Sequence, residues 1–283
     1  MLVETGFPRK GGHPALVTWS RLLQPDLRME ADVSLQGPMA LGALHFPELA
    51  LSAYFPTDPG AGHSYYRALL DDLVRADVHK LSRVERTALQ REVPEVVATL
   101  EKRRFDCPAV AVFSCRPHKF TSIWRLADPV PGRIAVADLL DLAPIRLQLF
   151  HHPPALAAVV DKRQARLYAL ILDELTELSR LEGLPIRRHK QGGWSATTLQ
   201  RRQDEHARWN LGDVAEAVAE LLGRSVYERL ILAGPLEARA ALKALLPPLA
   251  LKLLTAEGSV PMYVTGNELA ERLRSLARQP APV

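Results

Sequence analysis

The sequence predicts an α/β protein, in which an N-terminal α/β (or α+β) domain precedes a domain built on a mixed sheet. The length of 283 residues suits two domains of ordinary size. Because 47% of the residues are hydrophobic, the chain can bury a sizeable core. Short apolar runs alternate with segments of helical periodicity, which favours this fold class. We expect the first domain to span residues 1–150 and the second to span residues 155–278.

The composition argues against two other protein classes. No run approaches the ~18 consecutive apolar residues that a membrane-spanning helix needs. The N-terminus has charges too early, and too short an apolar run, for a signal peptide. Cys107 and Cys115 are too few for a metal site or a disulfide framework. We therefore expect reduced, buried thiols in a cytoplasmic protein.

The first half of the chain has the following expected elements. Residues 1–40 are mostly loop, with one strand near Ala15–Leu22. The apolar run ELALSAYF, residues 48–55, predicts a strand that ends at the turn PTDPGAG. Two helices follow, and Pro94 lies inside the second, where proline can split or kink a helix. These helices are expected at residues 64–76 and 84–104, and further strands at residues 109–115, 121–126, 133–136 and 145–150.

The second half has a clearer pattern. His151–Pro154 is expected to be a linker, because consecutive prolines continue neither helices nor sheets. Three antiparallel strands, a polar loop and a long helix follow, and then strand, helix, strand or helix end, and helix. This is the order of a ribonuclease-H-like sheet. The expected ranges are 156–161, 165–173 and 174–182 for the three strands, 183–195 for the loop, and 197–222, 228–233, 235–246, 249–254 and 268–277 for the rest.

Basic residues are concentrated around the polar loop. Between Ile186 and Asn210 there are six basic and two acidic residues, so this short stretch has a net charge of +4, as large as that of the whole chain. A local excess of this kind indicates a phosphate-rich partner. The alternative is a solvated helix face, which is what most charged runs are.

The loop has three further features that suit contact with nucleic acid. The pair Gly192–Gly193 lets the backbone approach another molecule closely. The first turn of the following helix offers unpaired N–H groups and the positive end of a dipole. Trp194 offers a ring face on which a base could stack. The alternative is an ordinary connection in which the glycines make a turn and Trp194 packs on the sheet.

We predict from these features an RNA-binding loop and an RNA-binding helix. The predicted loop residues are Arg187, Arg188, His189, Lys190, Gln191, Gly192, Gly193, Trp194 and Ser195, and the predicted helix residues are Arg201, Arg202 and Arg208. No cofactor, metal site or catalytic residue is predicted.

Other reactive side chains have simpler interpretations. Asp161 and Asp173 lie at strand ends without converging acidic partners, so a turn role is favoured over a two-metal nuclease site. The adjacent His151 and His152 lack partners for a zinc site. His189 and His206 could act as acid or base, but contact with phosphate is the favoured role. Ser195 is a helix-cap candidate.

Residues 159–246 resemble the central domain of the class-1 release factor and Pelota superfamily. The resemblance lies in the strand AAVVDKRQARLYAL, the element LTELSRL, the loop RRHKQGGWSATTLQRR, the long helix, and the run YERLILAGPLEARAAL. The N-terminal half, with SAYFPTDP and AVAVFSC, resembles the bacterial release-factor-like family, whose members have a domain of their own in front of the shared one.

The resemblance has one departure at the loop tip. In the eukaryotic and archaeal factors a basic run precedes Gly-Gly-Gln, and the glutamine positions water against the peptidyl-tRNA ester. Trp194 stands at that position here, and its indole N–H can only donate a hydrogen bond. Stop-codon peptide release is therefore not expected. The third, GTPase-contacting domain of these factors is also expected to be absent, because few residues follow Val260.

The resemblance implies a cytoplasmic factor that enters the ribosomal A site near the peptidyl transferase centre and contacts tRNA or rRNA. It further implies a role in ribosome hibernation or rescue. One alternative is an enzyme, either a peptidyl-tRNA hydrolase or a tRNA 3′-end nuclease. Another is a protein-interaction module that has lost RNA binding. No membrane partner is expected, and the sequence leaves open the oligomeric state, the ribosomal state bound and the use of a GTPase.

Overall fold

The fold is described from a computed structural model. The structure describes residues 38–58, 60, 64–183, 195–224 and 226–279, and for residues 39 and 195–204 it describes the backbone alone. The strand expected near Ala15–Leu22 lies outside these ranges.

The first sheet is antiparallel and has four strands in the order β3-β2-β1-β4. The strands are β1 (His45–Pro56), β2 (Ala109–Cys115), β3 (Phe120–Leu126) and β4 (Arg133–Leu139). Strand β2 is buried along its whole length, as its apolar sequence predicts. Short 3-10 helices occupy Pro38–Ala43, Val78–Lys80 and Arg116–His118.

Two helices cover one face of this sheet: α1 (Tyr65–Asp77) and α2 (Arg83–Glu101). Helix α2 begins at a capping box, in which the Ser82 hydroxyl accepts from the Glu85 N–H and the Glu85 carboxylate accepts from the Ser82 N–H. Pro94 lies within a single continuous helix and does not split it.

The prediction of a strand at residues 145–150 is wrong. This segment belongs to a helix, α3 (Ala143–His151), which has Pro144 in its first turn. Proline is well tolerated there, because the first N–H groups of a helix have no partner within it. The run RLQLF alternates apolar and polar residues like a strand, and so short a run fits either period. Ile145 and Gln148, three residues apart, are the buried ones, as on a helix. The connection to the second sheet therefore begins after His151, one residue later than predicted.

The second sheet has five strands in the order β7-β6-β5-β8-β9. Strands β5, β6 and β7 are antiparallel neighbours, whereas β5, β8 and β9 are parallel. This mixed pairing confirms the predicted α/β fold class and its ribonuclease-H-like order. The bounds are β5 (Ala155–Val160), β6 (Gln164–Ile171), β7 (Glu174–Glu182), β8 (Arg229–Ala233) and β9 (Leu254–Gly258).

Helices cover both faces of the second sheet. They are α4 (Ser195–Gly223), α5 (Leu236–Lys243), α6 (Pro248–Leu253) and α7 (Gly266–Ala277). Helix α4 packs on the face that also meets the first sheet, and one apolar cluster runs from Tyr54 and Phe113 to Leu156 and Leu211. Helix α7 covers the opposite face through Leu269, Leu273 and Leu276. In the parts of the chain that the structure describes, no helix is long and apolar enough to cross a membrane.

Candidate nucleic-acid interface

The predicted site lies only partly within the described residues. Arg187, Arg188, His189, Lys190, Gln191, Gly192, Gly193 and Trp194 lie outside them. Ser195 is the first residue of helix α4, two residues before the expected start. Arg201 and Arg202 lie in this helix, and Arg208 lies further along it with an exposed side chain. The three arginines assigned to the RNA-binding helix are therefore on one helix.

Buried residues from Ala207 onward hold helix α4 to the sheet. Among the residues whose side chains are described, burial begins at Ala207 and continues at spacings of three and four residues. The later buried residues are Asn210, Leu211, Val214, Ala215, Val218, Leu221 and Leu222. At 1.5 Å of rise per residue, Ser195 lies ~18 Å before Ala207 along the helix axis.

The chain leaves the second sheet at Gly183, beside the middle of helix α4. The Gly183 N–H donates to the Arg163 carbonyl (2.7 Å), and the Asn210 side-chain amide donates to the Lys162 carbonyl (3.1 Å). The chain at Gly183 therefore lies beside both the β5–β6 turn and Asn210. Since Ser195 is fifteen residues before Asn210 in the helix, it lies ~22 Å away along the axis. The segment that carries the predicted loop therefore starts and ends at well-separated points.

The turn between β5 and β6 is built by Asp161. One of its carboxylate oxygens accepts from the N–H groups of Arg163 (2.6 Å) and Gln164 (2.8 Å). This is the turn role predicted for Asp161. Lys162, in the same turn, pairs with Glu237 at 2.7 Å.

An aromatic pair that sequence reasoning did not identify lies on helix α4. His206 and Trp209 are one turn apart, with ring centroids 5.9 Å apart and ring planes 26° from parallel. Trp209 is 57% exposed, which is unusual for so large an apolar side chain. The sequence contains one indication of this exposure: Trp209 does not fit the spacing of three and four residues that the core residues of helix α4 follow.

Asp173 is a buried carboxylate surrounded by arginines, and the sequence did not predict these partners. It lies after Leu172, which has a positive φ of 56°, in the turn between β6 and β7, so the predicted turn position is confirmed. Its carboxylate lies 3.1 Å from Arg274 Nε and 3.8 Å from both Arg125 and Arg278. Burial raises the pKa of Asp173 above its usual value, against the effect of these guanidinium groups. The four side chains join the first sheet, the second sheet and helix α7.

The histidine pair at the end of helix α3 lies beside the carboxylate of Asp128, and only His152 forms a hydrogen bond with it. His152 Nε2 lies 2.8 Å from Asp128 Oδ2, and His151 Nδ1 lies 3.9 Å from the same oxygen. Over the residues that the structure describes, no group of three or more histidine, cysteine or acidic side chains could hold a metal ion. The histidine pair therefore contributes to packing of the segment before β5.

Both cysteines are buried and unbonded to each other, as predicted. The Cys107 thiol donates to the Ala109 carbonyl (3.2 Å), and burial raises the pKa of Cys107 to about 11. Burial also raises the pKa of Cys115. Both groups are therefore neutral thiols at physiological pH.

Comparison with known proteins gives one family. Residues 141–278, just under half of the chain, match the sequence model of the bacterial archaeo-eukaryotic release factor family 10. The matched range covers helix α3 and the whole second sheet with its helices, including the segment of the predicted loop. No curated protein matches the sequence.

Solved structures are similar at low identity. The crystal structure of the archaeal translation termination factor aRF1 matches with 18% identity and a TM-score of 0.35, over 89% of this chain and 70% of that one. An archaeal protein matches with 19% identity and the same score and coverage. Archaeoglobus fulgidus Pelota matches with 13% identity and a TM-score of 0.30, over 60% of this chain and 46% of that one. Because these scores are low, the assignment rests on the sequence match. Over residues 141–278, this chain is therefore similar in sequence to the bacterial archaeo-eukaryotic release factor family 10, and this match supports a release-factor-like family.

Proposed function

We propose that this translation-related factor binds the ribosome through the segment from Ile186 to Asn210. The observation that carries the proposal is the combination of family and charge. Residues 141–278 match a release-factor family, and the net charge of +4 lies in the segment that resembles the glycine loop of the release factors. Such an excess attracts the phosphate backbone of RNA.

The arrangement of helix α4 supports a loop that works at a distance from the core. Among the residues whose side chains are described, Ala207 is the first that is buried against the core, and Ser195 lies ~18 Å before it. The end of the helix that follows the loop therefore lies about three turns before Ala207. We propose that the loop residues and Arg201, Arg202 and Arg208 contact tRNA or rRNA in the A site, near the peptidyl transferase centre.

We propose further that the factor acts in ribosome hibernation or rescue and not in termination. Trp194 stands where release factors have glutamine, and an indole cannot place a water with both a donor and an acceptor. Residues 1–150 and 155–278 would serve as two domains, the second presenting the loop.

Co-sedimentation with bacterial ribosomes tests the proposal. The protein should pellet with vacant ribosomes, with ribosomes holding peptidyl-tRNA, or with both, and added salt should weaken this binding steeply. The preferred state separates hibernation from rescue. A protein that stays in the supernatant with both ribosome preparations at low salt is not a ribosome-binding factor.

The same mixtures test the enzymatic alternative. Peptidyl-tRNA is incubated with the protein and the RNA and peptide products are separated. We expect the ester and phosphodiester bonds to stay intact. Cleavage of the ester would make the protein a peptidyl-tRNA hydrolase, and cleavage near the 3′ end would make it a nuclease.

A further inference from the structure

Trp209 is exposed near the middle of helix α4 and stacks on the half-buried His206. We call this pair the Trp209 platform. The two rings are already stacked, with centroids 5.9 Å apart and planes 26° from parallel, and the indole remains 57% exposed. A stacked ring has less conformational freedom to lose when a partner binds.

The Trp209 platform faces away from the sheet. Ala207, Leu211 and Val214 are buried against the core, and at 100° per residue Trp209 lies on the other side of the helix from them. The side chain therefore contributes little to the stability of the fold. Tryptophan is enriched among the few residues that contribute most of the binding energy at interfaces.

The charges around the Trp209 platform are mixed, and the basic ones lie on its N-terminal side. Arg208 is adjacent and exposed, and Arg201 and Arg202 precede Trp209 by about two turns in the same helix. Glu205 and Asp213 are exposed on the same side of the helix as Trp209, one turn before and after it. The positive charge nearby is therefore confined to Arg208 and to the turns that hold Arg201 and Arg202. A phosphate backbone is attracted toward that end, and a base can lie on the indole.

We propose that Trp209 stacks on an unpaired base of ribosome-bound RNA, with His206 as the residue that positions its ring. The proposal rests on the proposed ribosome binding and adds a second contact to it, outside the glycine loop. The base stacks on the face of the indole away from His206. Because every base has such a face, the contact selects unpaired nucleotides without selecting a sequence.

The test measures the affinity of four proteins for bacterial ribosomes at one salt concentration. They are the wild type, Trp209→Tyr, Trp209→Leu and Trp209→Ala. Loss of one stacked base should weaken binding about five- to 150-fold in the Leu and Ala variants alike. The Tyr variant keeps a flat ring and should stay within about threefold of the wild type.

Tyr263→Ala is the matched control. Tyr263 is 84% exposed and precedes helix α7, which covers the opposite face of the sheet. Its loss should change neither affinity nor melting temperature. The Trp209 variants should also keep the wild-type melting temperature, which shows that a loss of binding is not a loss of fold.

Each other outcome overturns the inference in a recognisable way. If Leu binds like the wild type and only Ala is weak, the surface docks an apolar protein segment. If all three variants bind like the wild type, Trp209 contacts nothing, and the proposed ribosome binding still stands. If the wild type itself does not bind, both proposals fail together.

Discussion

Gly183 lies directly against the side chain of Asn210, where the chain leaves the second sheet. A methyl group at Gly183 would overlap Cγ, Oδ1 and Nδ2 of Asn210, the last at 2.5 Å. Asn210 cannot easily move, because it is buried and donates to the Lys162 carbonyl. This contact fixes where the segment of the predicted loop begins relative to helix α4.

Replacing Gly183 with alanine should therefore destabilise the protein. The added methyl group must displace Asn210 and break its hydrogen bond to Lys162, which we expect to cost about 1–3 kcal/mol. Chemical denaturation measures the change in the free energy of unfolding. If Gly183→Ala leaves the free energy of unfolding unchanged, the chain at Gly183 is not in tight contact with helix α4.

Gly212→Ala is the matched control and should have the opposite sign. Gly212 lies in the same helix, two residues after Asn210, and an added methyl group meets nothing within 4 Å. Alanine costs less backbone entropy than glycine in a helix, so a gain of about 0.5–1 kcal/mol is expected. Destabilisation here would mean that the helix surface at Gly212 is covered.

The double variant Arg201→Ala/Arg202→Ala should bind ribosomes with a weaker salt dependence. Each phosphate contact removed should lower the slope of log affinity against log salt by about one. Arg75→Ala/Arg272→Ala, two exposed arginines of helices α1 and α7, removes the same charge elsewhere and should leave the slope close to that of the wild type. Equal slopes for all three proteins would contradict the electrostatic interpretation.

The sequence was most informative where a pattern depended on local residues. The β5–β6 turn follows from Asp161, whose carboxylate caps two N–H groups, and strand β2 follows from its uninterrupted apolar run. The prediction of a strand in place of helix α3 is wrong because a run of five residues is too short to distinguish the two-residue period of a strand from the 3.6-residue period of a helix.

Features that depend on tertiary contacts could not be predicted in this way. The partners of Asp173 are separated from it by between 48 and 105 positions, so no spacing in the sequence brings them together. The stack of His206 and Trp209 needs only local spacing, yet its significance depends on which helix face is buried. The predicted loop residues 187–194 remain a prediction.

Asp173→Asn should strongly destabilise the fold. The substitution removes the carboxylate that pairs with the partly buried guanidinium group of Arg274, which typically costs about 3–5 kcal/mol, whereas Arg125 keeps its ion pair with Asp106. Arg272→Met, which breaks the exposed Arg272–Glu268 pair in helix α7, should cost less than about 0.5 kcal/mol. Similar small effects for both variants would show that the charges around Asp173 are solvated.

Cys107 and Cys115 should be unreactive thiols with no role in ribosome binding. A thiol reacts as its thiolate, and the pKa of Cys107 at about 11 keeps it protonated at neutral pH. Since this folded-state pKa is raised, the stability it contributes is present at neutral pH and is lost as pH rises from about 9 to about 11. A thiol reagent should react with the unfolded chain much faster than with the folded one.

The double variant Cys107→Ala/Cys115→Ala should keep its ribosome affinity and lose about 1 kcal/mol or more of stability through lost packing. It should also lose less stability than the wild type between neutral pH and pH 11. Mass spectrometry of the unreduced wild type should show two free thiols, and a mass lower by two hydrogens would reveal a disulfide.

Trp194→Ala is the decisive variant for the loop. If Trp194 stacks on a base, its loss should weaken ribosome binding by about 1–3 kcal/mol and barely change the melting temperature. The basic residues that flank the glycines favour an exposed loop, because burying unpaired charges against an apolar sheet would be costly. A variant that unfolds several kcal/mol more easily and binds normally would identify Trp194 as a core residue.

Trp194→Gln restores the side chain that release factors have at this position. The wild type should not release peptide in a stop-codon assay, because its indole cannot accept a hydrogen bond from water. Peptidyl-tRNA hydrolysis by Trp194→Gln would indicate that the loop reaches the peptidyl transferase centre. Gln191→Ala in the Trp194→Gln background is the matched control, since Gln191 lies before the glycines and cannot occupy the same place. Activity that disappears with Gln191 would mean that the restored residue is not the one that positions the water.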